Sequence, residues 1–261
     1  MSPASTRGQH GYHPRSAART AVVWAALQEV LDAVPDSLDA APDSATGDRT
    51  ASVVDIGGGT GGFAVRVAEL GHDVTVIDPS PDALATLVRR AEESGVADRV
   101  TGRQGDLASL LEMVQPGTAD VVLCHGVLEI VEDPAASLRV IAQAMRPGGT
   151  LSLLVSQRHA AVVARAMAGH FTQAKALLDD PTGGGVSRRF GAEELAAVLD
   201  AAGFATTAMH AVRVFVDLVP SSLVDLEPGA DAALVELEQA VADRPEYLSL
   251  ATQIHALATR L

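Results

Sequence analysis

The chain has 261 residues, is 48% hydrophobic, and carries a formal net charge of −14 with one lysine, Lys175. That length and apolar content can bury one α/β core with an added lobe. No apolar run has the length of a membrane span, the N-terminus lacks the hydrophobic core of a signal peptide, and Cys124, the only cysteine, cannot close an internal disulfide. No Cys/His cluster has metal spacing, so a cytoplasmic, metal-free protein is expected. The acidic balance opposes nucleic-acid binding overall, yet residues 146–213 hold seven basic side chains against five acidic ones.

In chain order, residues 1–20 read as a flexible N-terminal arm with three arginines and no acid. The arm passes into a helix from about Ser16 to Ala33, where Val22, Val23, Ala26, Leu27, Val30 and Leu31 recur at helical spacing. Pro35–Thr50 is rich in Pro, Asp, Ser and Ala and reads as a surface loop. From Ala51 strand and helix alternate, as a doubly wound sheet requires. Strands are predicted near 51–55, 73–77, 99–103, 119–124 and 149–156, and helices near 61–70, 81–94 and 134–145. Pro81 and Pro134 suit first helical turns. Next come an apolar helix (AAVVARAMAGHF), a glycine-broken link (DDPTGGGVSRR), and an amphipathic helix closed by Gly203. ATTAMHAVRVFVDL reads as one or two strands with Arg213 inside, followed by helices near 230–242 and 245–252. The apolar C-terminal helices cover the chain's own sheet or pair across a dimer, so monomer and homodimer both stand.

The densest signal is VVDIGGGTGG at residues 53–62, with Asp78 closing the next apolar run, VTVID, and Pro79 behind it. A strand ends at Asp55, and the chain turns through Gly57, Gly58, Gly59 and Gly61 before a helix begins near Phe63. Glycine is needed where the turn takes positive φ and the backbone approaches a ligand. Asp78, at the end of the second strand, is placed to accept hydrogen bonds from two ribose hydroxyls. Gly57-x-Gly59-x-x-Gly62 fits a dinucleotide fingerprint for NAD or FAD. Asp55-x-Gly57-x-Gly59-x-Gly61 instead resembles the D/E-x-G-x-G-x-G motif of S-adenosylmethionine-dependent methyltransferases. Asp55 favours the second, because a carboxylate beside the loop opposes a pyrophosphate and suits a cationic ammonium or sulfonium. Gln104-Gly105-Asp106 after strand three, Cys124-His125 at the end of strand four, and RPGGTLSLLV before strand five continue the series. The simplest reading of the Cys124 side chain is a small buried hydrophobe.

These motifs resemble those of class I S-adenosylmethionine-dependent methyltransferases. The resemblance implies a Rossmann-like doubly wound sheet of seven strands, six parallel and the last, near Ile254–Thr259, antiparallel. It implies a single domain over 21–261, with a helical cover about 157–200 and a helical addition about 230–252. HGVLEIVEDP, RPGGTLSLLVSQRH, MAGHF, AVRVF and the closing LVELEQAVADRPEYLSLATQIHALATR are similar to the bacterial tRNA 5-carboxymethoxyuridine methyltransferase family, which implies a methyl ester on a tRNA carboxylate. That family pattern assigns Arg19, Gly57, Gly58, Asp78, Gln104, Gly105 and His125 to the cofactor, with Arg19 on the methionyl carboxylate. Asp55, Gly59, Gly61, Pro79, Asp106 and Cys124 complete the expected cofactor set. The family's dense basic lid is missing: only Arg188 and Arg189 stand in the corresponding stretch.

A carboxylate acceptor is already ionised and needs no general base, whereas a hydroxyl usually does. His125, Arg158 and Arg213 are the expected acceptor-side residues, the arginines as cations that orient a carboxylate. Arg213 reads equally well as a surface residue on an edge strand. Arg188 and Arg189 suit phosphate or solvent, His159 and His170 suit helix ends facing solvent, and Glu129 and Asp133 suit helix and turn. The partner is therefore tRNA or a small carboxylate or hydroxyl metabolite, with a non-catalytic cofactor-binding protein as the reading from another class.

Overall fold

The structure, a computed structural model, describes residues 14–34, 50–179, 188–219 and 229–261. Seven strands form one sheet in the order β3-β2-β1-β4-β5-β7-β6: Ser52–Ile56 (β1), Asp73–Asp78 (β2), Val100–Gln104 (β3), Ala119–His125 (β4), Met145–Ser156 (β5), Phe204–Val212 (β6) and Gln253–Arg260 (β7). Only β7 runs antiparallel to its neighbours, so the six-plus-one sheet is as expected. The order reverses between β1 and β4, which opens a crevice at the carboxyl ends of those strands.

Helices cover both faces: Pro14–Ala33 (α1), Ala64–Glu69 (α2), Pro81–Glu93 (α3), Leu110–Met113 (α4), Pro134–Ala144 (α5), Arg158–Met167 (α6), Phe171–Asp179 (α7), Ala192–Ala201 (α8), Ala230–Ala242 (α9) and Pro245–Leu248 (α10). Capping fixes several starts. Ser80 accepts from the Ala83 N–H and Asp133 from the Ala136 N–H, each followed by the proline that sequence placed in the first turn. One core packs Val54, Ile56, Val122, Leu151 and Leu153 beneath α5 and α8. The opposite face packs Val53, Val74, Val76, Val121 and Leu123 against α2, α3 and the end of α1.

Several expectations need correction. α1 begins at Pro14, so residues 14–20 are helical rather than part of an arm, and residues 1–13 lie outside the described set. The loop at 35–49 and most of the glycine-broken link, 180–187, also lie outside it. The helix expected through Phe171 is two helices, because Gly169 adopts φ +78° and ends the first. The helix expected over 245–252 is one turn ending at Leu248. β6 stops at Val212, one residue before Arg213.

Candidate active site

The glycine turn is built for close approach. Gly57, Gly59 and Gly61 take φ of +70°, +55° and +78°. A Cβ at Gly57 would stand 2.5 Å from a Val127 methyl, and one at Gly58 would stand 2.4 Å from a carboxylate oxygen of Asp55. Asp78 secures the turn from the next strand: one carboxylate oxygen accepts from the Gly59 N–H and the other from the Ser80 N–H, both at 2.9 Å. Asp55 is 3% exposed. Burial, then the neighbouring Asp78 charge, pushes its carboxyl from 3.8 up to about 7.

The neighbouring strand ends extend the crevice. The Gln104 amide donates to the Pro79 carbonyl at 3.3 Å, and the Gly105 N–H donates to the Asp78 carbonyl at 3.2 Å. A Cβ at Gly105 would meet Met113 at 2.5 Å. One carboxylate oxygen of Asp106 caps the turn at Leu107–Ser109 through the Ser109 N–H and hydroxyl. Cys124 offers no side chain to the crevice. Its thiol is wholly buried in the core beneath α5, and burial with the charges of Glu129 and Asp55 pushes it up to about 12.

His125 closes the crevice from β4. Its ring packs edge-on against Phe63, with ring centroids 5.0 Å apart, and its Nε2 lies 2.9 Å from the Ser152 hydroxyl. Burial pushes its pKa down to about 4, which leaves the imidazole neutral at physiological pH. Phe63 also meets Trp24, over which the Arg66 guanidinium stacks at 3.7 Å.

The expected arginines divide into two groups. Arg19 and Arg213, 194 positions apart in sequence, converge on Asp217, at 3.5 and 2.7 Å respectively. Arg213 is no strand residue: it adopts φ +62°, a conformation that ends β6. The next three N–H groups, those of Val214, Phe215 and Val216, then turn onto the Glu238 carboxylate of α9 at 2.7 to 2.9 Å. Arg158 sits apart, ion-paired with Glu194, which Arg188 also approaches at 3.7 Å. This pair borders a cleft of about 460 Å³ lined by Gln157, His159, Glu193 and Leu248 among others. His159 and His170 are exposed.

Sequence reading undervalued two carboxylates. Glu129 is 7% exposed, accepts from the Ser156 N–H and hydroxyl through one oxygen, and leaves the other buried without a partner. Glu238 is fully buried on a helix that otherwise reads as amphipathic. A lone acidic residue at a buried helical position is a signal available in sequence, but its backbone partners are not.

These features fit an adenosine cofactor: a turn without Cβ atoms, a carboxylate at the next strand end bound to that turn, and a buried carboxylate suited to a cation. Residues 25–209 match a methyltransferase-domain family model. The chain belongs to that family. It is an S-adenosylmethionine-dependent methyltransferase, as the motif series implies. It is 29% identical over 247 residues to the tRNA 5-carboxymethoxyuridine methyltransferase of Escherichia coli K12, covering 93% of this chain and 88% of that one. Over a shorter stretch of 120 residues it is 38% identical to a ubiquinone biosynthesis O-methyltransferase of Xanthomonas euvesicatoria, covering 46% and 48%. Among solved structures, a methyltransferase from Listeria monocytogenes superposes with TM-score 0.61 at 16% identity over 94% of this chain and 99% of that one. One from Mesorhizobium loti gives 0.58 at 19% identity over 94% and 100%. These two likenesses concern the fold. Among the described residues no helix is long and apolar enough to cross a membrane, and no cluster of His, Cys, Asp or Glu is arranged to hold a metal ion.

Proposed function

We propose that this methyltransferase esterifies the carboxylate of 5-carboxymethoxyuridine in tRNA. The observation that carries the reading is similarity over 93% of the chain and 88% of the relative, far more than the cofactor motifs alone span. The convergence of Arg19 and Arg213 on the Asp217 carboxylate supports it, because it places two guanidinium groups around one carboxylate.

S-adenosylmethionine supplies an electrophilic methyl on an excellent leaving group. Gly57, Gly58, Gly59 and Gly61 would form its backbone cradle, Asp78 would take the ribose hydroxyls, and Gln104, Gly105 and Asp106 would hold the adenine. Asp55 faces the cationic end. Arg213 would orient the acceptor carboxylate, and Arg19 would hold the methionyl carboxylate. The acceptor is ionised at neutral pH and no side chain takes a proton from it. Alignment and exclusion of water contribute most of the acceleration.

A small carboxylate or hydroxyl metabolite is the second reading, favoured by the −14 charge and by the pairing of Arg158 and Arg188 with Glu194. Methyl transfer from labelled S-adenosylmethionine into bulk tRNA bearing unmethylated 5-carboxymethoxyuridine tests the first. Label released by mild alkali as methanol is the expected result. No incorporation by protein shown to bind the cofactor would sink it in favour of the small acceptor.

A further inference from the structure

A chain of hydrogen bonds crosses four strands from His125 in the crevice to His210, and Asp243 stands beside its outer end at the surface. His125 Nε2 lies 2.9 Å from the Ser152 hydroxyl, which lies 2.8 Å from His255 Nε2. His255 Nδ1 lies 3.0 Å from His210 Nδ1, and His210 Nε2 lies 3.4 Å from an Asp243 carboxylate oxygen. The register explains the path. His210 and His255 are direct antiparallel partners, and Ser152 lies two positions from Leu154, the partner of His255. Side chains two apart on a strand share a face. The His210 and His255 planes differ by only 21° with centroids 5.1 Å apart, so the two Nδ1 atoms meet edge to edge. Asp243, the last member, is 82% exposed at the end of α9.

The direction of every proton in this chain follows from its outer end. The Asp243 carboxylate, 3.4 Å from Nε2, favours a proton on that nitrogen of His210, which, being neutral, then accepts at Nδ1. His255 then carries its proton on Nδ1 and accepts at Nε2. Ser152 donates to His255 and accepts from His125, which therefore carries its proton on Nε2. We propose that Ser152, His255, His210 and Asp243 are positioning residues that hold His125 as the neutral Nε2–H tautomer, leaving the Nδ1 lone pair for the cofactor crevice.

A lone pair there complements the cationic cofactor, whereas an Nδ1–H or an imidazolium would oppose it. The chain suits this role because its buried rings resist a second proton. His255 is driven well below its ordinary range by burial and by the two flanking histidines. His210 is lowered by burial against the opposing pull of Asp243 and of Glu29 on α1. The tautomer assignment stands independently of the methyl acceptor; its consequence for affinity rests on the cofactor reading of His125.

Nitrogen-15 histidine spectra of the full chain, with His125 assigned by the signals lost in His125→Gln, report which ring nitrogen is protonated. The expected result is Nε2–H for His125 and His210 and Nδ1–H for His255 between about pH 6 and pH 8. Ser152→Ala should bring up the Nδ1–H form of His125. Asp243→Asn changes an exposed side chain that the fold does not need, and should leave His210 a mixture because an amide both donates and accepts. Both variants should weaken S-adenosylmethionine roughly three- to tenfold, and more than S-adenosylhomocysteine, which lacks the sulfonium charge, with Asp243→Glu restoring it. An Nδ1–H His125 in the parent protein, or a tautomer unmoved by Ser152→Ala, overturns the assignment. A tautomer shift with equal loss of both ligands overturns its role toward the cation. Neither outcome touches the methyl-transfer assay.

Discussion

Asp55 makes the cofactor crevice pH-sensitive. Its native carboxyl titrates near 7 against an ordinary 3.8, so the unfolded chain ionises first. Stability is lost as pH rises from about 4 to about 7, by at most ~4 kcal/mol. Asp55→Asn should therefore melt at a higher temperature than the parent at pH 8, and the gap should close at pH 4. A cationic ligand favours the carboxylate, so its binding should expel a proton near neutrality. Calorimetry in buffers of different ionisation heat reads that proton, and a buffer-independent heat would remove Asp55 from the cationic end. Asp78→Ala should weaken the cofactor about ten- to a hundredfold, as expected for charge-assisted hydrogen bonds of about 1.5–3 kcal/mol. Equilibrium dialysis with unchanged affinity would remove the ribose role. The glycines, Asp55 and Asp78 were all legible in sequence, because a local turn and two strand ends define them.

At the scale of elements, the segment after β6 is where local reading failed. Arg213 sits in AVRVF, which has the composition of a strand, yet the strand ends before it. The buried Glu238 carboxylate accepts three successive backbone N–H groups that would otherwise join a ladder. Propensity cannot see a partner 22 to 24 positions away. Glu238→Ala should cost about 3–5 kcal/mol, since it strands buried donors, and should loosen the loop that presents Arg213 and Asp217. Denaturant unfolding checks the first effect. Glu238→Gln should recover only part, because one amide oxygen replaces a carboxylate that accepts through both oxygens. Gly61→Val should fail more severely than substitutions elsewhere in the turn. Its Cβ would stand 2.2 Å from a Leu87 methyl at φ +78°, in the packing between α2 and α3. Soluble yield and melting temperature measure that loss.

For the whole molecule, charge decides which partner the crevice meets. At −14 overall, the proposed binding of tRNA would depend on local cations, and two of the arginines near the helical cover are already engaged by Glu194. Glu194→Gln should free Arg158 and Arg188 and strengthen tRNA binding severalfold, with a steeper salt dependence. Filter binding across a salt series tests this. Affinity unchanged at every salt concentration would show that these arginines face no phosphate.

The sequence by itself determined the alternating order of elements and the glycine turn of the crevice, because hydrophobic period, proline starts and glycine turns act over a few residues, while the count of seven strands came with the family resemblance. The antiparallel β7 likewise followed from the family pattern. Only the tertiary structure decided which distant side chains meet. Arg19 joins Arg213 through Asp217, Arg158 turns to Glu194, and His125 reaches Asp243 through β5, β7 and β6. Such meetings depend on strand order and on an antiparallel register, which place residues side by side regardless of their separation along the chain.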